Sequence, residues 1–180
     1  MGDHGQVWVQ RPRSAALDPQ YLAHKVPHPN RVSVWGCFSG RGVGEIEVFS
    51  GILDKNRLRT ILQTHLLSSA KRLFPTGMWW FQWDNDPKHT SGLIQTWLFK
   101  KGIHCMELPP YSPDLNPIEN LWNHLKRRVE KRNARNTEEL EQYIKEEWVA
   151  TDPGFLVKLS HSMNKRCKQV VEHKGHRTTF

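Results

Sequence analysis

The segment Met78-Trp79-Trp80-Phe81-Gln82-Trp83 constrains this chain more than any other. A continuous apolar run of this kind predicts a β-strand buried on both faces. Such a strand needs a layer of helices on each side, and the rest of the sequence offers them. Leu58, Ile61, Leu62, Leu66 and Leu73 fall at helical spacing and predict an amphipathic helix from residue 55 to about 72, ended by Pro75 and Gly77. Residues 91–101 predict a second helix, stopped by Gly102, and residues 103–108 another short strand. Asn116-Pro117 opens a helix with Asn at the cap and Pro in the first turn, and Ile118, Leu121, Trp122, Leu125 and Val129 form its apolar stripe. Thr137-Glu138-Glu139 caps a further helix, with Leu140, Ile144 and Trp148 on one face, and residues 153–171 predict the last one. Upstream, residues 32–39 are rich in strand formers, residues 40–44 are a turn, and residues 45–49 alternate polar and apolar, which makes a hairpin. Hairpin, helix, strand, helix, strand and then helices is the order of an α/β layer fold with a mixed sheet.

The first thirty residues have a different character. Residues 3–5 have turn composition, and Val7-Trp8-Val9 reads as a short strand. Pro12, Pro19, Pro27 and Pro29 fall within residues 11–30 and forbid a helix or a central strand there. This is a long, basic, extended loop, of a length that in compact domains is usually functional or disordered. At the other end, residues 172–180 are a polar, basic tail. The 180 residues suit one domain, residues 1–180, and 37% hydrophobic with 24% charged residues is ordinary for a globular chain. No stretch approaches the roughly 18 apolar residues of a membrane span, and no secretory signal opens the chain, so no membrane partner is expected. Cys37, Cys105 and Cys167 are odd in number and widely spaced, as reduced thiols in a cytosolic or nuclear protein would be. The net charge of +8 points to an anionic partner, most often nucleic acid.

Two acids carry the candidate chemistry. Asp84 follows the apolar run, where α/β sheets gather reactive groups at strand ends. Glu119 lies in the first turn of the helix opened by Asn116-Pro117, near its positive end. A carboxylate at a strand end and one at a helix start can converge on a hard divalent cation, which takes oxygen ligands from the protein, water and substrate phosphate. Two such ions about 4 Å apart activate water and steady the leaving oxygen in phosphodiester cleavage. The plainer alternative is that Asp84 opens a turn and Glu119 complements the helix dipole.

The blocks around these acids, Trp83-Asp84-Asn85-Asp86-Pro87-Lys88-His89-Thr90 and Pro109-Pro110-Tyr111-Ser112-Pro113-Asp114-Leu115-Asn116-Pro117-Ile118-Glu119-Asn120-Leu121-Trp122, resemble the two signature blocks of the mariner superfamily of DNA transposases. The 34 residues between Asp84 and Glu119 match the interval of one Asp-Asp-Glu branch of that superfamily, and Val34-Trp35-Gly36-Cys37-Phe38-Ser39 resembles its preceding strand block. The resemblance implies a ribonuclease-H-like fold of the retroviral integrase type, a mixed sheet with flanking helices. It implies metal-dependent cutting and joining of transposon DNA ends, with Mg²⁺ or Mn²⁺ as cofactor, DNA as partner, no small-molecule substrate and a nuclear location. Asp84 matches the second catalytic acid and Glu119 the third, and both are expected to be metal ligands. Residues 11–30 fall where the superfamily has a clamp-like insertion that touches a partner subunit, which implies a homodimer through this loop.

The superfamily's first catalytic acid lies on a first, central strand just before a turn, and this chain opens on that turn. Asp3, the only acid nearby, belongs to the turn. The expectation is therefore a catalytic core without its first central strand, holding two of three acids, binding metal more weakly and marginally stable. Such a chain binds nucleic acid in a salt-dependent manner and does not cleave it alone. The alternative is a non-enzymatic DNA-binding or assembly protein derived from a transposase. Lys88 and His89 are expected to meet phosphate at the start of the following helix. Lys126, Arg127, Lys131 and Arg132, on the helix of Glu119, are expected to contact DNA, against the plainer alternative of a solvated face. Arg11, Arg13 and Arg31 flank the proline-rich loop as further backbone contacts, and Lys165 and Arg166 are counted with the basic tail. Trp8 and Trp35 are expected to pack. Cys167, His173 and His176 lack the fourth ligand and the spacing of a zinc site.

Overall fold

The computed structural model describes residues 32–84, 89–106, 108 and 112–173, and the elements below all belong to the unit Arg31–Phe180. The expected strand at residues 7–9, the loop 11–30, Asp3, Arg11, Arg13, Arg31, Lys88 and residues 174–180 lie outside the described residues.

Strands β1 (Ser33–Ser39) and β2 (Gly42–Phe49) form an antiparallel hairpin, with a bulge between Gly36 and Phe38. Side chains alternate between its faces, as strand geometry requires. Trp35 and Phe49 enter one core, with Cys37 packed against it, beside Leu58, Ile61, Leu62 and Leu66. Val48 enters a second core, with Val34 and Phe38 packed against it, beside Leu121, Leu125, Trp148 and Leu156. The hairpin is thus the middle layer between two sets of helices.

The first set is α1 (Lys55–Ile61), a π-helical turn (Leu62–Leu66), α2 (Leu67–Leu73) and α3 (Gly92–Lys100). Asp54 caps α1 by accepting from the Arg57 amide at 2.7 Å. The expected single helix over 55–72 is therefore continuous but carries a π turn in its middle, which periodicity alone does not reveal. The second set is α4 (Ile118–Glu130), α5 (Thr137–Val149) and α6 (Pro153–Glu172). Two caps differ from the sequence reading by one residue. Asn136, not Thr137, caps α5, accepting from the Glu139 amide at 2.8 Å. α4 is capped by Pro117 without a side-chain bond, while the Asn116 carbonyl accepts from the Glu119 amide at 3.2 Å. A short 3₁₀ turn (Pro113–Leu115) leads into it.

The apolar run behaves differently from a strand buried on both faces. Only Trp80–Phe81 is strand (β3), paired in parallel with His104–Cys105 (β4). Trp79, Phe81 and Trp83 turn toward the first core, whereas Trp80 is 59% exposed. The reason lies in the pairing. Among the described residues the hairpin and the β3–β4 pair are two separate two-stranded sheets. A cavity of about 550 Å³ lies between them, lined by β1 and by residues 79–84. With only β4 beside it, β3 covers one face and leaves the other open. Among the described residues no helix is long and apolar enough to cross a membrane.

Candidate active site

Asp84 stands directly after buried Trp83, where the chain leaves the β3 segment. His89 holds it from beyond residues 85–88. Its Nδ1 lies 2.5 Å from Asp84 Oδ1 and 3.3 Å from the Asp84 carbonyl. The imidazole stacks on the Trp83 indole, with centroids 4.9 Å apart and planes 4° from parallel. Trp83 in turn meets the Phe81 ring edge-on at 5.3 Å. A chain of aromatic contacts therefore runs from the core to an exposed carboxylate.

Glu119 comes from the other side of the cavity, in the first turn of α4. The entry into α4 is pinned twice. Gln82, beyond β3, donates from Nε2 to the Leu115 carbonyl at 2.5 Å. Arg166 of α6 is 2% exposed and donates to the Asp114 carbonyl at 2.6 Å, to Asn120 Oδ1 at 2.7 Å and to Ser162 Oγ at 2.9 Å. Strand segment and last helix thus grip the same turn, and Glu119 follows it. Its carboxyl pKa is raised, first by desolvation against the cavity wall and second by the negative charge of Asp84. Glu119 is exposed as a residue, so its carboxyl is only partly desolvated. The second cause matters most for chemistry, because two like charges have been brought within mutual reach.

Asp84, His89 and Glu119 line one cavity, as the sequence expectation required of the two acids. Among the described residues no group of three His, Cys, Asp or Glu side chains is arranged to hold a metal ion. Two carboxylates still suit Mg²⁺ or Mn²⁺, which take one or two protein carboxylates and complete their shell with water and phosphate. The basic residues on α4 divide. Lys126, Arg127 and Lys131 are exposed, and Lys126 pairs with Glu130 at 3.8 Å. Arg132 is engaged within the protein, with Glu146 at 2.6 Å, Glu147 at 3.4 Å and the Tyr143 ring 3.8 Å below its guanidinium carbon. Its charge joins α4 to α5, a use that a charge run in sequence does not disclose.

Arg166 corrects the reading that placed it with a basic tail. It is buried and hydrogen-bonded along its whole guanidinium. The signal was present: Arg166 continues the spacing of Leu156, Leu159 and Met163 along α6, and so belongs to the inward stripe. Trp35 packs in the core as expected. All three cysteines are free thiols, and Cys167 is exposed on α6.

The family model described as DDE superfamily endonuclease matches residues 6–141. The transposable element Tcb1 transposase of Caenorhabditis briggsae is 35% identical over 180 residues, 99% of this chain and 66% of that protein. This chain therefore spans just under two thirds of the length of that relative. The crystal structure of the catalytic domain of Mos1 mariner transposase superposes with a TM-score of 0.75 at 20% identity, covering 82% of this chain and 76% of that one. The Mos1 mariner paired end complex with Mn superposes with a TM-score of 0.76 at 22% identity, covering 90% of this chain and 50% of that one. The fold is thus the ribonuclease-H-like one. With the two acids on one cavity and the family model spanning most of its length, the chain belongs to the DDE superfamily endonucleases, with Tc1/mariner transposases as its relatives.

Proposed function

We propose that this chain serves as the catalytic-core portion of a Tc1/mariner-type transposase, presenting Asp84 and Glu119 as oxygen donors for a divalent cation at a DNA phosphodiester. The observation that carries this is that Asp84 and Glu119, from distant elements, line one cavity, close enough for the Asp84 charge to help raise the Glu119 pKa after desolvation. Evolution of a stable fold gives no reason to place like charges together, whereas a cation does. When bound, Mg²⁺ or Mn²⁺ supplies Lewis-acid stabilisation of the charge that develops in strand cleavage and joining. The protein's own part is positional. β3 and the 3₁₀ turn set the separation of the two acids, and the α4 N-terminus faces the phosphate with its positive end. The net charge of +8 draws DNA, with Lys126, Arg127 and Lys131 as exposed phosphate contacts and Lys88 and residues 11–30 as further proposed contributors. A nuclear site of action and a homodimer through residues 11–30 belong to the same proposal.

Isothermal titration of the 180-residue chain with Mn²⁺ tests the reading. Binding by the wild type that disappears in Asp84→Ala and in Glu119→Ala supports it, and binding unchanged in both variants overturns it. A second reading is a DNA-binding or assembly protein without cleavage, which the exposed Lys126, Arg127 and Lys131 on α4 would serve equally. Nicking of duplex DNA with Mg²⁺, abolished by Glu119→Ala, excludes that second reading. Salt-dependent DNA binding without nicking supports it.

A further inference from the structure

We infer that His89 is a positioning residue: it fixes the orientation of the Asp84 carboxylate for the cation, rather than contacting nucleic acid. This rests on the proposed metal role of Asp84. The Asp84 side chain is 56% exposed and lies three residues beyond the end of β3, outside the strand pairing. The His89 side chain is only 15% exposed, and its ring is held flat against Trp83, which is itself 9% exposed. The backbone is held too, because the His89 carbonyl accepts from Gln95 Nε2 on α3 at 3.3 Å. Rigidity therefore passes from the core through Trp83 to the imidazole, and from Nδ1 to Asp84 Oδ1 across 2.5 Å. Hydrogen bonds of this kind orient ligating carboxylates, and losing one commonly weakens metal affinity about 10- to 100-fold.

The two things His89 provides, a stacked ring and an N–H donor, can be separated. His89→Phe keeps the stack and removes the donor. His89→Asn removes the stack and places an amide N–H where Nδ1 lies. His89→Gln places its amide near Nε2 instead. We expect Mn²⁺ affinity, measured by titration on the 180-residue chain, to fall about 10-fold in His89→Phe and His89→Gln. His89→Asn stays within about 3-fold of the wild type, because the hydrogen bond to Oδ1 is retained. Circular dichroism melting confirms that each variant is folded. A purely structural role for the ring predicts the reverse order, with Phe intact and Asn impaired, and that result overturns the inference. So does unchanged Mn²⁺ affinity in all three variants with weakened DNA binding, which makes His89 a nucleic-acid contact. Asp84→Asn separates the two claims. If it abolishes Mn²⁺ binding while His89→Phe does not weaken it, the positioning role fails and the metal site stands. If Asp84→Asn binds Mn²⁺ like the wild type, the metal site itself fails.

Discussion

Arg166 of α6 donates from Nη2 to Asn120 Oδ1 at 2.7 Å, and this bond ties the last helix of the chain to the residue next to Glu119. The same guanidinium reaches the Asp114 carbonyl and Ser162, so one buried cation braces the turn before α4 as well as its first residues. Replacing it with an apolar side chain of similar length, Arg166→Met, leaves the Asp114 carbonyl and Asn120 without their donors. Leaving such partners unsatisfied costs about 2–4 kcal/mol. Urea unfolding should show that loss. Mn²⁺ affinity should fall in parallel, because Glu119 rides on the turn that Arg166 holds.

Glu119 makes a pH-dependent prediction. Its folded-state pKa is raised, so between the unfolded and folded values the folded chain keeps more of the proton than the unfolded chain does. Stability from the protonated form is fully present below the unfolded carboxylate value of about 4.3 and fades as pH rises through the higher folded value. Glu119→Gln should therefore melt slightly above the wild type at pH 7, by a small margin because the side chain is partly solvated. The difference should close below about pH 4, where both side chains are neutral. Thermal melts across this range check it.

Trp148 is almost wholly buried and donates from Nε1 to the Gly44 carbonyl at 2.9 Å, joining α5 to β2. Trp148→Phe retains most of the packing and orphans that carbonyl, at a cost of about 1–3 kcal/mol. Gly44 itself has no room for a side chain: a Cβ there would lie 2.8 Å from Ser69 Oγ and 2.9 Å from the Cys37 carbonyl. Gly44→Ala should cost about 1–3 kcal/mol through overpacking. Chemical denaturation of the two variants measures both effects.

The basic face of α4 divides into two functions that DNA binding should separate. Each phosphate contact contributes about 0.9 to the slope of log affinity against log salt. Replacing Lys126, Arg127 and Lys131 together with Ala should lower that slope, read by fluorescence anisotropy with duplex DNA. Arg132→Ala should leave it unchanged and instead lower the melting temperature, because its charge is engaged by Glu146 and Glu147.

How much of this was legible in sequence differs from element to element. The hairpin, the helices and their order follow from local period, because apolar spacing reports which face of an element is buried before any partner is known. The helix ends at Lys100 and Glu172 fall close to expectation. Helix starts were less legible. Asn136 and Thr137 are both good caps, and only backbone geometry chooses between them. The π turn at Leu62–Leu66 has no compositional signature in the helix that contains it.

The site shows the same division more sharply. Sequence alone singled out Asp84 and Glu119 as candidates, through residue type, motif and their places after an apolar run and at a helix start, and it identified the family. It also set a net positive charge. Tertiary structure alone decided which charges are available and what holds the acids. Arg132 and Arg166 read as two more members of basic clusters, yet one closes a helix–helix ion-pair network and the other is buried beneath the turn that leads into α4. His89 read as a phosphate contact at the start of the following helix, and the fold sets its ring against Asp84. Exposed Trp80 read as core, because an apolar run cannot tell how many strands flank it. Periodicity and motif describe what a segment can offer, whereas pairing, burial and hydrogen bonding depend on residues from elsewhere in the chain, such as Asn120 and Arg166, that meet only when it folds.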